Sequence, residues 1–359
     1  MIGIIRTVMI AGFIHFSSSI LFAQSYRDIY TGGQKILHSS NIITENKEPI
    51  LRKSVDSLGT RLANIQPAIK YNKYTDKIYL CDGATPFIYI VDSDFCAVKV
   101  FDNFGQGPGE VRKVTYINFD SKGNCILSDF ANYKLVYYDI NLEKLLNEYK
   151  YQLGIRFYYY TGGFAYNSKD ELIIYHSAPD SLLIVLDKSG KKIRTIGKPL
   201  PLDITHWLFH YNELKIAVDE DDNIYCVFFG NPIIRKYDRN GSLKNEINYM
   251  YVDSSITVFI NDRVNYIQNE YEKRKNDNRT FLKYNFIKSF SMDKNYIYIV
   301  FNDVEADVKK FNTIYVFNKD DYRLKKIIYI NENFHIHAID ASADYIYAYS
   351  ARNLLKIIK

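Results

Sequence analysis

Short apolar runs recur along this chain, separated by turns carrying Asp, Asn and Gly. Their enrichment in Ile, Val, Tyr and Phe predicts strands, because β-branched and aromatic side chains pack best on a pleated surface. One pattern returns six times: Ile78-Tyr79-Leu80, Ile126-Leu127-Ser128, Leu172-Ile173-Ile174, Ile224-Tyr225-Cys226, Ile297-Tyr298-Ile299 and Ile346-Tyr347-Ala348. Aligned on Ile78, with Cys125 at that place in the second copy, the copies start at 78, 125, 172, 224, 297 and 346. The intervals are 47, 47, 52, 73 and 49 residues, and all but the long one sit near the roughly 40–50 of a propeller blade.

The fourth copy shows the unit most clearly. Residues 215–219, 224–228, 232–237 and 243–248 read as four strands, with turns at Asp221-Asp222-Asn223 and Asp238-Arg239-Asn240-Gly241. Asp92, Asp139, Asp187 and Asp238 close the third strand of their copies, and Asn318 does so in the fifth. Such side chains start turns by accepting a nearby backbone N–H, and Gly tolerates positive φ. The sixth copy has strands over 336–340, 345–349 and 354–358 and lacks a fourth. A bare sheet edge invites aggregation, so residues 50–55 (Ile-Leu-Arg-Lys-Ser-Val) are expected to supply the missing strand. The fold class expected is all-β: a six-bladed β-propeller of four-stranded antiparallel blades over 49–359, closed by an N-terminal strand and preceded by an extension over 24–48.

The 73-residue interval holds an insert between blades 4 and 5, over about 251–285. There Ile260, Val264, Ile267 and Tyr271 fall on one helical face, with Glu270, Glu272, Lys273 and Arg274 to keep the rest wet. This spacing predicts a short helix over 262–275.

Between the first two blades stands Phe104-Gly105-Gln106-Gly107-Pro108-Gly109-Glu110. It resembles the G-x-G-P-G-E signature of bacterial six-bladed β-propeller proteins related to NHL repeats. The resemblance spans about residues 50–359 and implies an exported protein, without implying one activity. On its own chemistry the segment is a specialised blade-to-blade turn; alternatively its amides cradle an anion, with Gln106, Glu110 and Arg112 beside them.

Strand alternation sorts the connections onto two faces, and nearly all the long ones share one of them. They cover residues 104–112, 152–161, 198–214, 250–285 and 302–312. Insertions gathered on one face of a repeat protein mark a binding surface. Candidate ligand-binding residues there are Tyr158, Tyr159, Tyr160, His206, Trp207 and His210, whose flat rings and polar tips suit sugars or extended peptides. At the ends of the second strands stand Asp82, Asp129 and His176, opposite Phe228, Phe301 and Ser350. That arc could hold a divalent cation, Ca or Zn; alternatively its Asp residues only cap turns.

The formal charge of +5 is spread over the chain without a block of like charges, which argues against a nucleic-acid partner. Arg6, the mostly apolar residues 8–22 and Ala23 read as an export signal over 1–23, leaving Gln24 at the mature terminus. Broken by His15 and Ser17-Ser18-Ser19, the stretch is short for a membrane span; an uncleaved anchor is the alternative. Cys81, Cys96, Cys125 and Cys226 match no metal-binding spacing, and three of them lie in predicted strands as small apolar residues. No Ser-His-Asp order, nucleotide loop or zinc-protease motif is present. The expectation is a secreted or periplasmic, non-catalytic binder of a glycan, peptide or envelope protein. The competing readings are a metal-assisted hydrolase or lyase, and a structural scaffold of the cell envelope.

Overall fold

The computed structural model describes residues 32–36, 41–58, 68–81, 83, 85–150, 163–201, 212–274, 285–301, 312–333, 335–350 and 353–359. Three strands precede the repeats: β1 (Gln34–Lys35), β2 (Ile43–Lys47) and β3 (Leu51–Ser54). Blade 1 holds β4 (Ala68–Asn72), β5 (Lys77–Cys81), β6 (Ile88–Val91) and β7 (Ala97–Phe101). Blade 2 follows with β8 (Val114–Phe119), β9 (Cys125–Asp129), β10 (Lys134–Tyr138) and β11 (Leu145–Lys150). Blade 3 has β12 (Phe164–Tyr166), β13 (Leu172–Ala178), β14 (Ser181–Leu186) and β15 (Lys192–Ile196). Blade 4 comprises β16 (Leu214–Val218), β17 (Ile224–Phe228), β18 (Ile233–Tyr237) and β19 (Leu243–Asn248). Helix α1 (Ser254–Arg274) leads to blade 5, with β20 (Ile287–Met292), β21 (Tyr296–Phe301), β22 (Thr313–Asn318) and β23 (Leu324–Ile330). Blade 6 contributes β24 (Ile336–Ala341), β25 (Tyr345–Ser350) and β26 (Asn353–Ile358).

The repeat reading holds to within about a residue at each second strand. Closure holds too: β3 lies antiparallel on β26, pairing Leu51 with Lys356 and Ser54 with Asn353. Six apolar clusters fill the seams between successive blades. The seam joining blade 6 to blade 1 packs Tyr347, Tyr349 and Leu354 against Ile69, Ile78 and Leu80. A central blade strand is thus covered on both faces, which is why β9 and β17 are buried at every position and show no polar alternation.

The turns are built as their residues foretell. Asp92, Asp139, Asp187 and Asp238 each accept two backbone N–H bonds through Oδ1, at 2.7–3.0 Å, and Asn318 does the same through its amide oxygen. Gly190 and Gly241 take the positive φ in their turns; elsewhere Phe95, Leu142 and Tyr322 take it as buried residues. Packing there outweighs a backbone strain of about 1–2 kcal/mol. Cys81, Cys125 and Cys226 are buried, Cys96 is exposed, and all four are free.

Two features differ from the sequence reading. Helix α1 starts at Ser254, eight residues before the predicted start; the β-branched Ile256, Thr257, Val258 and Ile260 hide its first turns in the sequence. Asp253 caps it, accepting the Ser255 N–H at 2.8 Å, while Ile256 and Ile260 are buried between blades 4 and 5. The extension also holds strands: β1 runs parallel to β19, and β2 runs parallel to β23 from Ile43↔Lys326 to Lys47↔Ile330. They cover the outer edges of blades 4 and 5 before β3 completes blade 6.

These roles separate by truncation. A chain starting at residue 49, which keeps β3, is expected to melt in one transition within about 5 °C of the full chain. A chain starting at residue 59 exposes the β26 edge and is expected to aggregate or lose at least about 10 °C. Calorimetry with light scattering distinguishes the two.

Candidate functional site

The turns joining first to second and third to fourth strands form one face of the ring, and each spans three to six residues. The other face carries connections of two to 38 residues, the longest containing α1. Ring geometry therefore fixes one face and leaves the other free to vary.

The loop between blades 1 and 2 belongs to the long-loop face, and its polar groups point inward. Glu110 turns back so that its Oε2 accepts the Gly107 N–H at 2.7 Å, and Glu148 Oε2 accepts the Gly109 N–H at 3.1 Å. A Cβ on Gly105 would lie 1.9 Å from Glu110 Oε2, so a side chain there would push the Glu110 carboxylate out of its place on the Gly107 N–H. Lys134, 1% exposed, donates to the Gly107 carbonyl at 2.9 Å and to Glu148 at 2.7 Å. Tyr138 donates to the Gly109 carbonyl at 2.6 Å, and burial raises its pKa. The chain's own carboxylates thus accept the Gly107 and Gly109 amides of this loop. Gln106 and Arg112 remain exposed beside it.

Asp129 belongs to the same brace. It is fully buried, and its carboxylate accepts the N–H groups of Arg112 and Lys113, both at 3.0 Å, and Asn132 Nδ2 at 2.7 Å. Asn132 also donates to the Gly105 carbonyl at 2.8 Å, tying the loop to the end of β9. His176 is half-buried; burial and Lys192 lower its pKa, and Asp180 works against them. Among the described residues no three His, Cys, Asp or Glu side chains converge as metal ligands. Asp82, the third member of the arc, lies outside the described residues, as do Tyr158, Tyr159, Tyr160, His206, Trp207 and His210.

A groove of about 1300 Å³ opens on the long-loop face above blade 5. One wall is a stripe of α1: Ser255, Val258, Asp262, Asn265, Tyr266 and Asn269. The other is the end of β2 and of β23, with Asn46, Glu48, Tyr329 and Asn331. Phe301, Thr313, Tyr315 and Ile330 form its floor. Phe259 of α1 packs on Phe301 at 5.6 Å between ring centres, and Phe301 on Tyr315 at 4.9 Å, so the helix is held at a set height over the blade. Tyr266 and Tyr329 are 48% and 37% exposed, leaving two rings available to a ligand. Asn331 Nδ2 donates to Glu48 Oε1 and its carbonyl accepts Arg52 Nη2 at 2.7 Å, which orients the far wall. The sequence reading missed this site. Its one signal was the polar stripe of α1, visible only once the helix is begun at Ser254.

No protein-family model matches the chain, and no curated protein matches it by sequence. Solved structures do match. A Bacteroides fragilis protein described as exported superposes with a TM-score of 0.53 at 14% identity, covering 89% of this chain and 99% of the other. U3-55K gives 0.53 at 10% identity, with 87% and 99% covered. The propeller domain of Myceliophteria thermophila Cps50 (Swd1) gives 0.51 at 8%, with 83% and 97% covered. At these identities the likeness shows the β-propeller fold alone.

The brace has a measurable consequence. Asp129→Ala strands several buried N–H groups and is expected to cost about 2–3 kcal/mol in urea unfolding. Asp129→Asn keeps one acceptor oxygen and is expected to cost less. Equal stability of Asp129→Ala and the parent would refute the brace.

Proposed function

We propose that this chain is an exported, non-catalytic propeller that binds a glycan in the groove between α1 and blade 5. The observation that carries this reading is the groove's lining: exposed rings of Tyr266 and Tyr329 among the side-chain amides of Asn46, Asn265, Asn269 and Asn331. Flat rings stack on the apolar faces of sugars, while amides, each both donor and acceptor, match hydroxyl groups. The rigid ring holds these groups in place before the ligand arrives, so little ordering entropy opposes binding.

Export rests on the apolar leader over 1–23 and on the described nature of the Bacteroides fragilis structural match. Among the described residues no helix is long and apolar enough to cross a membrane. The resemblance of residues 104–110 to the G-x-G-P-G-E signature of exported six-bladed propellers related to NHL repeats supports the same reading. The metal-assisted hydrolase or lyase reading is the weaker one, because Asp129 already serves its own loop through both carboxylate oxygens.

Glycan-array screening followed by calorimetric titration tests the proposal. Tyr266→Ala and Tyr329→Ala remove exposed rings, so the variants are expected to melt like the parent and to bind a glycan hit at least tenfold more weakly, about 1.4 kcal/mol each. Array binding that survives both substitutions, or binding of peptides with no glycan hit, would overturn it.

A further inference from the structure

The outer edges of the blades are not treated alike. β1 and β2 lie parallel on the last strands of blades 4 and 5, and β3 is itself the last strand of blade 6. Among the described residues β7, the last strand of blade 1, pairs only with β6. Such an edge offers a row of backbone N–H and C=O groups to another strand. The edges of blades 2, 3 and 6 are also open, but their long polar side chains are already engaged. Asn147 and Tyr149 of β11 donate to the Lys188 carbonyl, Arg194 of β15 binds Glu171 at 2.9 Å, and Arg52 of β3 binds Glu332 at 3.1 Å. β7 instead exposes Val98 and Val100, by 49% and 44%.

Strand register identifies what fits β7. Blades 1 and 5 pair their third and fourth strands through the same bulge: Val91↔Ala97 then Ile90↔Lys99 in one, Phe317↔Leu324 then Val316↔Lys326 in the other. Lys99, Val100 and Phe101 therefore stand where Lys326, Ile327 and Ile328 stand. In blade 5 those positions are covered by β2, with Ile43 opposite Lys326 and Glu45 opposite Ile328. Glu45 binds Lys326 at 2.8 Å, and Ile42 packs on the cluster holding Ile327, which is only 7% exposed. Lys99 has a weaker set of partners, the exposed Glu143 at 3.6 Å and the Asn141 carbonyl at 2.9 Å. Beside it a cavity of about 350 Å³ opens between β7 and blade 2, lined by Val100, Phe101, Pro108, Tyr138, Leu142 and Leu145.

We propose that β7 accepts an extended peptide of a partner protein as a fifth strand of blade 1, parallel to β7 as β2 is to β23. The peptide carries an apolar residue opposite Lys99 and an acidic one opposite Phe101, the spacing of Ile43 and Glu45 on blade 5. Backbone hydrogen bonds supply affinity, the Lys99 ammonium selects the acid, and the cavity takes an apolar side chain. Lys99 also disfavours the competing occupant, a second copy of β7, which would bring its own lysine to the same edge. The edge shares no lining residue with the groove.

The probe is a fluorescent synthetic peptide with the sequence of residues 41–48, Asn-Ile-Ile-Thr-Glu-Asn-Lys-Glu, followed by anisotropy on the mature chain at pH 7. Saturable one-to-one binding is expected. Lys99→Glu in the protein is expected to weaken it about tenfold or more without lowering the melting temperature, and a Glu45→Lys peptide is expected to restore binding to that variant. A peptide N-methylated at Thr44 and Glu45 is expected to lose binding, because one of two adjacent N–H groups must face the edge. Tyr266→Ala and Tyr329→Ala are expected to leave it unchanged, so this proposal and the groove reading fail separately. Absence of saturable binding, binding that survives N-methylation, or equal binding by the parent and Lys99→Glu, as displacement of β2 would give, overturns the proposal. So does a dimer in sedimentation that Val100→Glu dissolves, which would assign the edge to a second copy.

Discussion

The pairing of β3 with β26 is the contact on which the rest of the molecule depends. Each blade covers one face of the next, and the cluster joining blade 6 to blade 1 forms only when the last sheet is brought round to the first. The four residues of β3 give blade 6 its outer strand, and Val55 directly after them enters that seam. Once the ring is closed, the innermost strands must converge on an axis, and every long connection must leave from one face. The groove and the channel mouth are both consequences of that closure.

The two faces divide stability from variation. On the short-turn face, Asx side chains fold most turns onto themselves and also bind neighbouring blades together. Asn72 donates to the Gly123 carbonyl at 3.0 Å, Asp170 accepts the Ser121 N–H at 3.1 Å, and Asp222 accepts the Ser168 N–H at 2.7 Å. A chain of such links around one rim leaves little freedom for insertion. On the opposite rim the brace around Asp129, Lys134 and Glu148 shows how a long connection is made rigid when it must be. All of its buried charges are paired or hydrogen-bonded, which is the condition under which burying them is tolerated.

The groove follows a different rule. Its floor is the end of blade 5, its inner wall a helix anchored by Ile256, Phe259 and Ile260, and its outer wall a strand donated from far upstream in the sequence. Three segments with no local relation meet there because parallel pairing of β2 with β23 holds Asn46 and Glu48 across from α1. The groove is a product of long-range assembly on a scaffold whose own contacts are mostly between neighbouring blades.

Periodicity alone settled the blade count, the strand positions, the Asx turns, the closing strand and the face carrying the long loops. Each of these depends on local chemistry repeated at a regular interval: apolar runs that need two covered faces, and side-chain oxygens that need a nearby N–H. The tertiary structure decided what periodicity cannot carry. From the sequence Glu110 reads as an acid beside a glycine loop and Asp129 as a metal ligand or a turn cap, and only their distances to Gly107, Arg112 and Lys113 show that this loop's own N–H groups hold both. The start of α1 was hidden because β-branched residues favour strands until burial between two blades outweighs that preference. The course of β2 (Ile-Thr-Glu-Asn-Lys) was hidden because an edge strand exposed to water keeps few apolar residues, so the partner's edge, and not the strand's own pattern, determines where it lies.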